Sequence, residues 1–495
     1  MVTRAVPSVA LRRPSGLPEF ALGCTATLAL VLLYAPWIAK PHIRYDDFSF
    51  LTKSRTWGET WVNLWQPMNE HVMPLSRIAA AILMQIVPGQ GAIPRAAEVQ
   101  GVTAVVLGMW LLYGFVRREL GHPFYAVIAM TLFGVTTTYY ECVTWYSASF
   151  FTLALDMTLV GLLAAQSWRR SKRWYALAAC GVASALAPAF HGTALLGGAW
   201  CALYLLWPQR DNPPTWSRPM PRAAMAATLR DVAAPLLGTV VFVATSLSKK
   251  ADQIIHAEHY QGKTIFAAFD PIEGVQNTLR TLADNQVLGA FGIAHKSAAF
   301  PWSVVLVVVG ILAVLGGIWW RVAPHGRLLA LGVALILASD LLVYGARAEW
   351  SYVRSVHNWT RYHLFPHLGL VLFVVGGLPH FEGRWFTLAP EGRLSRSQAV
   401  ALAGLVAALL ACHWPRSQGS HFYVPEQIAV LQRVERVDAK CREAGIDGVT
   451  ARQALGFVQF PLGYSQENAW EFLRGSPSPR PISVDDARAL LGAIR

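Results

Sequence analysis

Long apolar runs, separated by short polar segments, occupy most of this chain. A membrane-spanning helix needs about 20 mostly apolar residues, within a range of about 17–25. Eleven runs reach or approach that length, so the pattern predicts an all-α integral membrane protein with about 11 transmembrane helices. The predicted spans are 20–39, 98–116, 123–138, 148–166, 175–190, 192–207, 232–247, 301–320, 328–345, 363–379 and 398–413.

One further apolar segment, PLSRIAAAILMQIVP at 74–88, either crosses the membrane or lies on its surface. It has only 15 residues and contains Arg77. Cytoplasmic loops of membrane proteins carry an excess of Lys and Arg. With 74–88 on the surface, the cytoplasmic loops have about twice the Lys and Arg density of the outer loops, and the clusters RRE, RRSKR and RVAPHGR all face inward. The charge pattern therefore predicts a surface helix, an inner amino terminus and an outer carboxy-terminal tail.

This orientation divides the chain into two parts. Residues 1–413 form the predicted transmembrane domain, with outer loops 40–97 and 248–300, and residues 414–495 form a small extracytoplasmic helical tail. The first outer loop contains amphipathic stretches, including tryptophans at helical spacing that are typical of an interfacial aromatic belt. Abundant Ala, Arg and Trp favour a bacterial source, so we expect the chain in the bacterial cytoplasmic (inner) membrane.

The composition agrees with a membrane protein and narrows the choice of partners. Charged residues make up 14% of the chain, against roughly 25% in soluble proteins. The formal net charge of +13 is compatible with nucleic acid, an anionic membrane or an anionic substrate. Many basic residues mark the inner loops and the tail is nearly neutral, so no basic patch remains for nucleic acid. The six cysteines form no CxxC pair, which argues against a disulfide framework or a zinc site.

An acidic pair, Asp46 and Asp47, directly follows the first span. Carboxylates beside a low-dielectric boundary are costly unless a positive or hydrogen-bonding group meets them. The pair therefore indicates either a general base or cation ligand, or a cap on a helix that begins near Phe48. Glu70 and His71 in the same loop are a weak signal for acid–base or metal chemistry, which loop polarity explains nearly as well.

Several cations also fall on the predicted outer face. Arginine suits a phosphate group because its planar fork donates parallel hydrogen bonds. Arg361 is therefore the first choice as a phosphate ligand, although an interfacial anchor at a helix start explains it as well. The other candidates are Arg44, Lys53, Arg55, Arg354, His357 and His363.

Several short motifs occur in an order that resembles one class of membrane enzymes. These are the acidic pair, the basic-Gly corner RRELGH at 117–122, YYECVTWYS around Glu141, AFHGTALLGG around His191, and RYHLFPHLGLVL from Arg361. Over roughly residues 20–380 this layout resembles the polytopic GT-C glycosyltransferases. That superfamily includes the protein O-mannosyltransferases, the aminoarabinose transferases that modify lipid A, and the oligosaccharyltransferases.

The resemblance implies a GT-C fold and a reaction at the extracytoplasmic face of the membrane. A sugar would pass from a polyprenyl-phosphate donor to a hydroxyl of a lipid, glycan or protein acceptor. By this carry-over Asp47 or Asp46 is the base or the acceptor-orienting group, with Asp47 slightly favoured. The implied substrate-binding residues are Glu141, Arg361, Tyr362, Glu70, His71, His191 and Arg44.

The resemblance also bears on cofactors. In the oligosaccharyltransferase branch, acids in the region of Glu141 help to bind a divalent cation. This chain has a single acid in that loop, not an acidic pair. The lack of a second acid in this loop favours a metal-independent enzyme over one that uses Mg or Mn, and the resemblance implies no other cofactor.

Two other classes of protein compete with a transferase. A polytopic transporter or flippase of lipid-linked or small anionic substrates would use the intramembrane acids Asp156 and Asp340 for coupling. A non-catalytic scaffold for polymer assembly would need neither those acids nor the acidic pair. The chain has no inverted repeat and its acids are concentrated in the outer loops, so the sequence favours the transferase.

Overall fold

The computed structural model describes most of the predicted transmembrane domain. It covers residues 17–39, 47, 50–51, 53–68, 71–87, 92–207, 222–255, 271–291, 301–322, 326–345, 360–383, 386–389 and 393–419. The predicted tail beyond residue 419 lies outside the described residues, so the division of the chain at 413 stays a prediction.

Helices make up the regular structure of the described residues, which also contain two isolated backbone bridges. The helices are α1 Leu17–Ile38, α2 Trp57–Asn63, α3 Pro74–Ile86, α4 Ile93–Leu120, α5 Pro123–Gly134, α6 Tyr140–Thr144, α7 Tyr146–Ser171, α8 Trp174–Phe190, α9 Gly197–Leu206, α10 Arg222–Ile255, α11 Pro271–Thr281, α12 Trp302–Val322, α13 Gly326–Gly345, α14 Leu364–Gly377 and α15 Arg396–Gly419. Short 3₁₀ turns precede α9 and α14, and a π-helix, Leu282–Leu288, follows α11.

The all-helical membrane class is confirmed, but the number of eleven spans is not. Eight helices of the described residues are long and apolar enough to cross a membrane. The other three predicted spans correspond to shorter apolar helices, at 123–134, 174–190 and 192–206. The helices at 174–190 and 192–206 are short because the chain turns between them. Helix α8 ends at Phe190, and the side chain of the next residue, His191, caps the 3₁₀ turn Gly192–Leu196.

The segment predicted on the membrane surface forms the 13-residue helix α3. At 1.5 Å per residue this helix is too short for a hydrocarbon core of about 30 Å. Its buried face includes Ala80 and Leu83, which share a small core with Phe50 and Tyr146. Ile82 and Ile86, which are one turn apart on α3, are exposed. The amphipathic pattern therefore buries one face on the bundle and leaves the other for lipid.

Close contacts at glycines bring several helices together. A Cβ built on Gly369 of α14 would lie 2.6 Å from the carbonyl oxygen of Gly332 on α13, and the reverse contact has the same length. Small residues allow such approach between helices in lipid, where dispersion rather than burial from water drives packing. At the end of α4, Gly121 adopts a left-handed φ of +76°, which closes the basic-Gly corner that the sequence indicated.

A buried polar network ties four helices together at the end of the bundle predicted to face the cytoplasm. The Glu119 carboxylate of α4 pairs with Arg327 of α13 and accepts hydrogen bonds from Tyr204 of α9 (2.6 Å) and Gln166 of α7 (2.9 Å). All three partners engage the Glu119 carboxylate, although the Oε1 atom of Gln166 has no hydrogen-bond partner in the part of the chain that the structure describes. The network holds together the end of the bundle that is predicted to face the cytoplasm, and Asp47 lies at the opposite end of α7 from Gln166.

Candidate functional site

A short segment, residues 141–147, runs from α6 into the first turn of α7 and connects the predicted acids with the predicted cation. Glu141 lies on the single-turn helix α6 and is buried. Its carboxylate accepts a hydrogen bond from the backbone N–H of Arg361 at 3.1 Å and another from the guanidinium of Arg361 at 3.2 Å. This doubly bonded pair therefore joins residues 220 positions apart in the chain.

Aromatic rings hold the guanidinium of Arg361 in place. Its central carbon lies 4.4 Å from the ring centre of Trp145 and 4.9 Å from that of Tyr362. Arginine is attracted to aromatic faces at such distances, and more strongly when water is excluded. Ion pairing and stacking together therefore fix a buried cation at the start of the 3₁₀ turn that leads into α14.

The carboxylate of Asp47 lies on the same segment. Asp47 is fully buried and accepts hydrogen bonds from the backbone N–H groups of Ser147 (2.7 Å) and Tyr146 (3.3 Å). The first N–H groups of a helix lack intrahelical partners and favour negative charge. Asp47 thus caps α7, a helix about a hundred positions further along the chain, whereas the cap near Phe48 that the sequence suggested lies outside the described residues.

The two predicted histidines lie together beside the Arg361 cluster. The His191 ring stacks on Phe151, with centroids 3.5 Å apart, and lies 4.5 Å from the ring of His71. Phe151 in turn makes an edge contact with Tyr362 at 5.4 Å. A Cβ on Gly192 would lie 2.6 Å from the His71 ring, so the absence of a side chain there allows the two histidines to meet.

The tautomer of His191 follows from its hydrogen bond. Its Nδ1 accepts from the backbone N–H of Thr193 at 3.2 Å, so the proton of the neutral ring is on Nε2. The sequence suggested that His191 either meets a donor phosphate or satisfies a carbonyl at a helix break. The structure places a backbone N–H on Nδ1 instead of a carbonyl.

Six of the predicted site residues therefore belong to one connected cluster, and three lie outside the described residues. The cluster contains Asp47, His71, Glu141, His191, Arg361 and Tyr362. The residues outside the described ranges are Arg44, Asp46 and Glu70.

Sequence reasoning missed two aromatic contributors. Trp145 stands in the motif around Glu141, so its position beside a predicted acid was a usable signal. Phe151 lies in an apolar run that carries no local signal for contact with His191. Arg77, which also escaped a functional assignment, is buried in α3 with its guanidinium 4.6 Å from the Phe50 ring centre. Burial lowers the pKa of Arg77 to about 10, which leaves it protonated at neutral pH.

Among the described residues, no three His, Cys, Asp or Glu side chains converge as metal ligands. The Glu141 carboxylate is engaged by Arg361. The intramembrane acids lie elsewhere: Asp156 adjoins Gly108 of α4, and Asp340 accepts a hydrogen bond from Gln286 of the π-helix at 2.9 Å.

Comparison with known proteins gives a fold assignment from structure rather than from sequence. No protein-family model and no curated protein matches the sequence. The crystal structure of ArnT from Cupriavidus metallidurans bound to undecaprenyl phosphate is similar, with a TM-score of 0.52 and 13% identity, and the match covers 96% of this chain and 88% of that one. The chain therefore has the fold of the GT-C glycosyltransferases.

Two further structures are similar at a lower level. An oligosaccharyltransferase of Archaeoglobus fulgidus in complex with Zn and sulfate gives a TM-score of 0.40 at 12% identity, with 93% of this chain and 59% of that chain covered. The oligosaccharyltransferase AglB from Archaeoglobus fulgidus, in complex with an inhibitory peptide and a dolichol-phosphate, gives 0.40 at 10% identity, with 94% and 61% covered.

Proposed function

We propose that this chain is a membrane glycosyltransferase that moves a hexosyl or pentosyl group from a polyprenyl-phosphate donor to an acceptor hydroxyl. The observation that carries the proposal is the segment 141–147. Glu141 and Trp145 hold Arg361, and the next two backbone N–H groups hold Asp47. A carboxylate and a rigid cation thus adjoin one short stretch of backbone, as sugar transfer from a phosphate requires.

The reaction assigns complementary tasks to the two groups. The acceptor hydroxyl oxygen attacks the anomeric carbon and gives its proton to the Asp47 carboxylate, which acts as the base or orients the acceptor. The bond between the anomeric carbon and the phosphate oxygen breaks, and its electron pair leaves on the polyprenyl phosphate. Arg361 offsets the negative charge on that phosphate, and the Nε2–H of His191 offers a second donor.

The donor class has independent support. The ArnT structure that shares this fold contains undecaprenyl phosphate. Long apolar helices put the chain in a membrane, where a polyprenyl donor resides. The distribution of Lys and Arg supports an inner bacterial membrane with the site on the extracytoplasmic face.

The direct test incubates the purified protein in detergent with labelled polyprenyl-phosphate sugars and hydroxyl-bearing lipids, glycans and peptides. Mass spectrometry then identifies the products. We expect one donor to be consumed, with free polyprenyl phosphate and an acceptor heavier by one sugar residue. If no donor is consumed, and reconstituted vesicles instead take up or flip a substrate in a manner that depends on Asp156 or Asp340, the protein is a transporter.

A further inference from the structure

An open groove runs between the surface helix α3 and the outer end of α4. Its volume is about 780 Å³, within the range of roughly 300–1,000 Å³ that is usual for small-molecule sites. The walls are mainly aliphatic, with Ile82, Leu83 and Ile86 on α3 and Ala96 and Val99 on α4. Ile82, Ile86 and Val99 are exposed, so this apolar surface faces the surroundings of the bundle.

The groove also has two polar positions, at different depths. Arg95 lies near the beginning of α4 and is exposed. Gln100, five residues further along the same helix, donates a hydrogen bond to the Ser149 hydroxyl at 3.0 Å. A helix rises 1.5 Å per residue, so the two lie about 7.5 Å apart along α4. One cation at the outer end of an apolar groove matches a lipid with an anionic headgroup.

The inner wall of the groove belongs to the same structure that holds Asp47. Leu83 shares a buried cluster with Phe50 and Tyr146. The Ser149 hydroxyl that accepts from Gln100 donates to the carbonyl of Tyr146 at 2.7 Å, and the backbone N–H of Tyr146 donates to Asp47. The inner wall of the groove and the backbone that holds the proposed base therefore belong to one packed cluster.

We infer that this groove binds the hydrocarbon chain of the acceptor, which makes the acceptor an anionic lipid with a free hydroxyl in its headgroup. The inference rests on the proposed function and names the acceptor class for the same site. The headgroup hydroxyl supplies the attacking oxygen and the proton for Asp47, and the donor leaves as polyprenyl phosphate.

Two other occupants fit the groove less well. A peptide acceptor would bring backbone N–H and C=O groups against aliphatic walls that cannot bond them. The donor binds on the other side of segment 141–147. Trp145 packs on Arg361, the proposed phosphate ligand, whereas Tyr146 packs into the inner wall of the groove. A chain in this groove thus belongs on the side of the base, where the acceptor enters.

The first arm of the test measures binding without turnover. The purified protein is mixed in detergent with dioleoyl phosphatidylglycerol or dioleoyl phosphatidylcholine and examined by native mass spectrometry. We expect at least tenfold more retained phosphatidylglycerol. Ala96→Trp fills the groove and Ile86→Glu places a charge at its exposed edge, so both should lose that retention, and Arg95→Gln should lose the preference for the anionic lipid. The control Val240→Trp, on the exposed face of α10, should retain it.

The second arm measures transfer to phosphatidylglycerol, to glycerophosphoglycerol, which has the same headgroup without chains, and to a serine-rich peptide. We expect transfer to the lipid, with a KM for phosphatidylglycerol at least tenfold below the KM for the chainless headgroup. Ile86→Glu should raise the KM for phosphatidylglycerol at least tenfold and leave the donor KM unchanged. Equal use of the chainless headgroup or the peptide, or insensitivity to both groove variants, would overturn the inference and leave the proposed function standing. Groove-dependent retention without transfer to any acceptor would instead overturn the proposed function.

Discussion

The Asp47 carboxylate caps a helix and, in the proposed reaction, also contacts the acceptor. Ser147 and Tyr146 each donate a backbone N–H to one of its two oxygens. These contacts fix the orientation of the carboxylate. Arg361 is fixed in a comparable way, by Glu141 and by Trp145. Catalytic groups held by their surroundings do not need to reorganise during the reaction.

Replacement of Asp47 separates the two roles. Asn can accept only one of the two backbone hydrogen bonds, because its amide nitrogen is a donor, so Asp47→Asn should lower the free energy of unfolding by about 1 kcal/mol; it also removes the base and should lower kcat about 100-fold or more. Asp47→Ala should lose both activity and about 0.5–2 kcal/mol of stability. Transfer assays and thermal unfolding in detergent measure the two effects. Asp231→Asn, at the far end of the bundle, is the control, and full activity of Asp47→Asn would exclude the base.

The Arg361 side chain is expected to be sensitive to its shape as well as its charge. Lysine keeps the charge but lacks the planar fork and stacks less well on Trp145. Arg361→Lys should therefore raise the donor KM and lower kcat/KM about 100-fold, with the acceptor KM nearly unchanged. Steady-state kinetics with each substrate varied in turn tests this, and a rise confined to the acceptor KM would place Arg361 elsewhere in the mechanism.

The buried pair should show strong coupling. Removal of one partner leaves an uncompensated charge, which costs about 3–5 kcal/mol in buried pairs. We expect Glu141→Ala to be destabilised by an amount in this range, and the double variant Glu141→Ala/Arg361→Ala to be less destabilised than the sum of the single variants. Unfolding of the four proteins in detergent gives the coupling energy. Additive losses would mean that the pair contributes little to the site.

At the scale of elements, the ends of helices determine where the site residues lie. Arg361 is in the 3₁₀ turn that leads into α14, His191 is at the end of α8, and Asp47 is bound by the start of α7. The positions of these ends depend on how the helices pack. A close glycine contact joins α13 to α14, and α14 directly follows the 3₁₀ turn that carries Arg361.

Enlarging that contact should disturb both stability and activity. A Cβ at Gly369 would lie 2.6 Å from a backbone oxygen of α13, and backbone cannot move aside as a side chain does. We expect Gly369→Val to cost about 1–3 kcal/mol, the range for an overpacked site, and to raise the donor KM. Gly310→Val on α12 is the matched control, because its Cβ would meet no atom within 4 Å. Equal losses of stability and activity in the two variants would mean that valine in place of a helical glycine causes the loss, and not the close packing at Gly369.

At the scale of the whole molecule, the two ends of the bundle differ in chemistry. One end carries the Arg361 and Asp47 cluster with the two histidines. The other carries the Glu119 network and the basic corners that the sequence assigned to the cytoplasm. The amphipathic helix α3 and the exposed tryptophans Trp57 and Trp61 lie on the loop that is predicted to be outside. This asymmetry suits an enzyme that takes both substrates from the outer leaflet.

Orientation in the membrane can be tested with single cysteines. Val62 on α2 is 85% exposed and Arg173 lies in the turn between α7 and α8, at opposite predicted faces. In a bacterial host, a membrane-impermeant maleimide should label Val62→Cys in intact cells and Arg173→Cys only after permeabilisation. Labelling is compared with the parental protein, which contains native cysteines. The reverse pattern would invert the topology and move the site to the cytoplasmic side.

The sequence alone determined the class of the protein and much of its local structure. Apolar runs are a local property, so they predicted helices at all eleven proposed positions, although only eight are long enough to cross. The short length of α3 and the glycine that ends α4 were equally predictable from the sequence, because helix length and capping depend on neighbouring residues. The resemblance to the GT-C glycosyltransferases rested on motif order and agrees with the fold.

Only the tertiary structure decided which residues meet. Glu141 and Arg361 are 220 positions apart, and Asp47 lies about a hundred positions before the helix that it caps. No local pattern encodes such contacts, since they arise from helix packing that depends on small residues such as Gly332 and Gly369, which are not themselves site residues. Phe151 shows the same limit, because a phenylalanine in an apolar run looks alike whether it faces lipid or stacks on a histidine. The sequence thus provided the chemical groups, and long-range packing decided their arrangement.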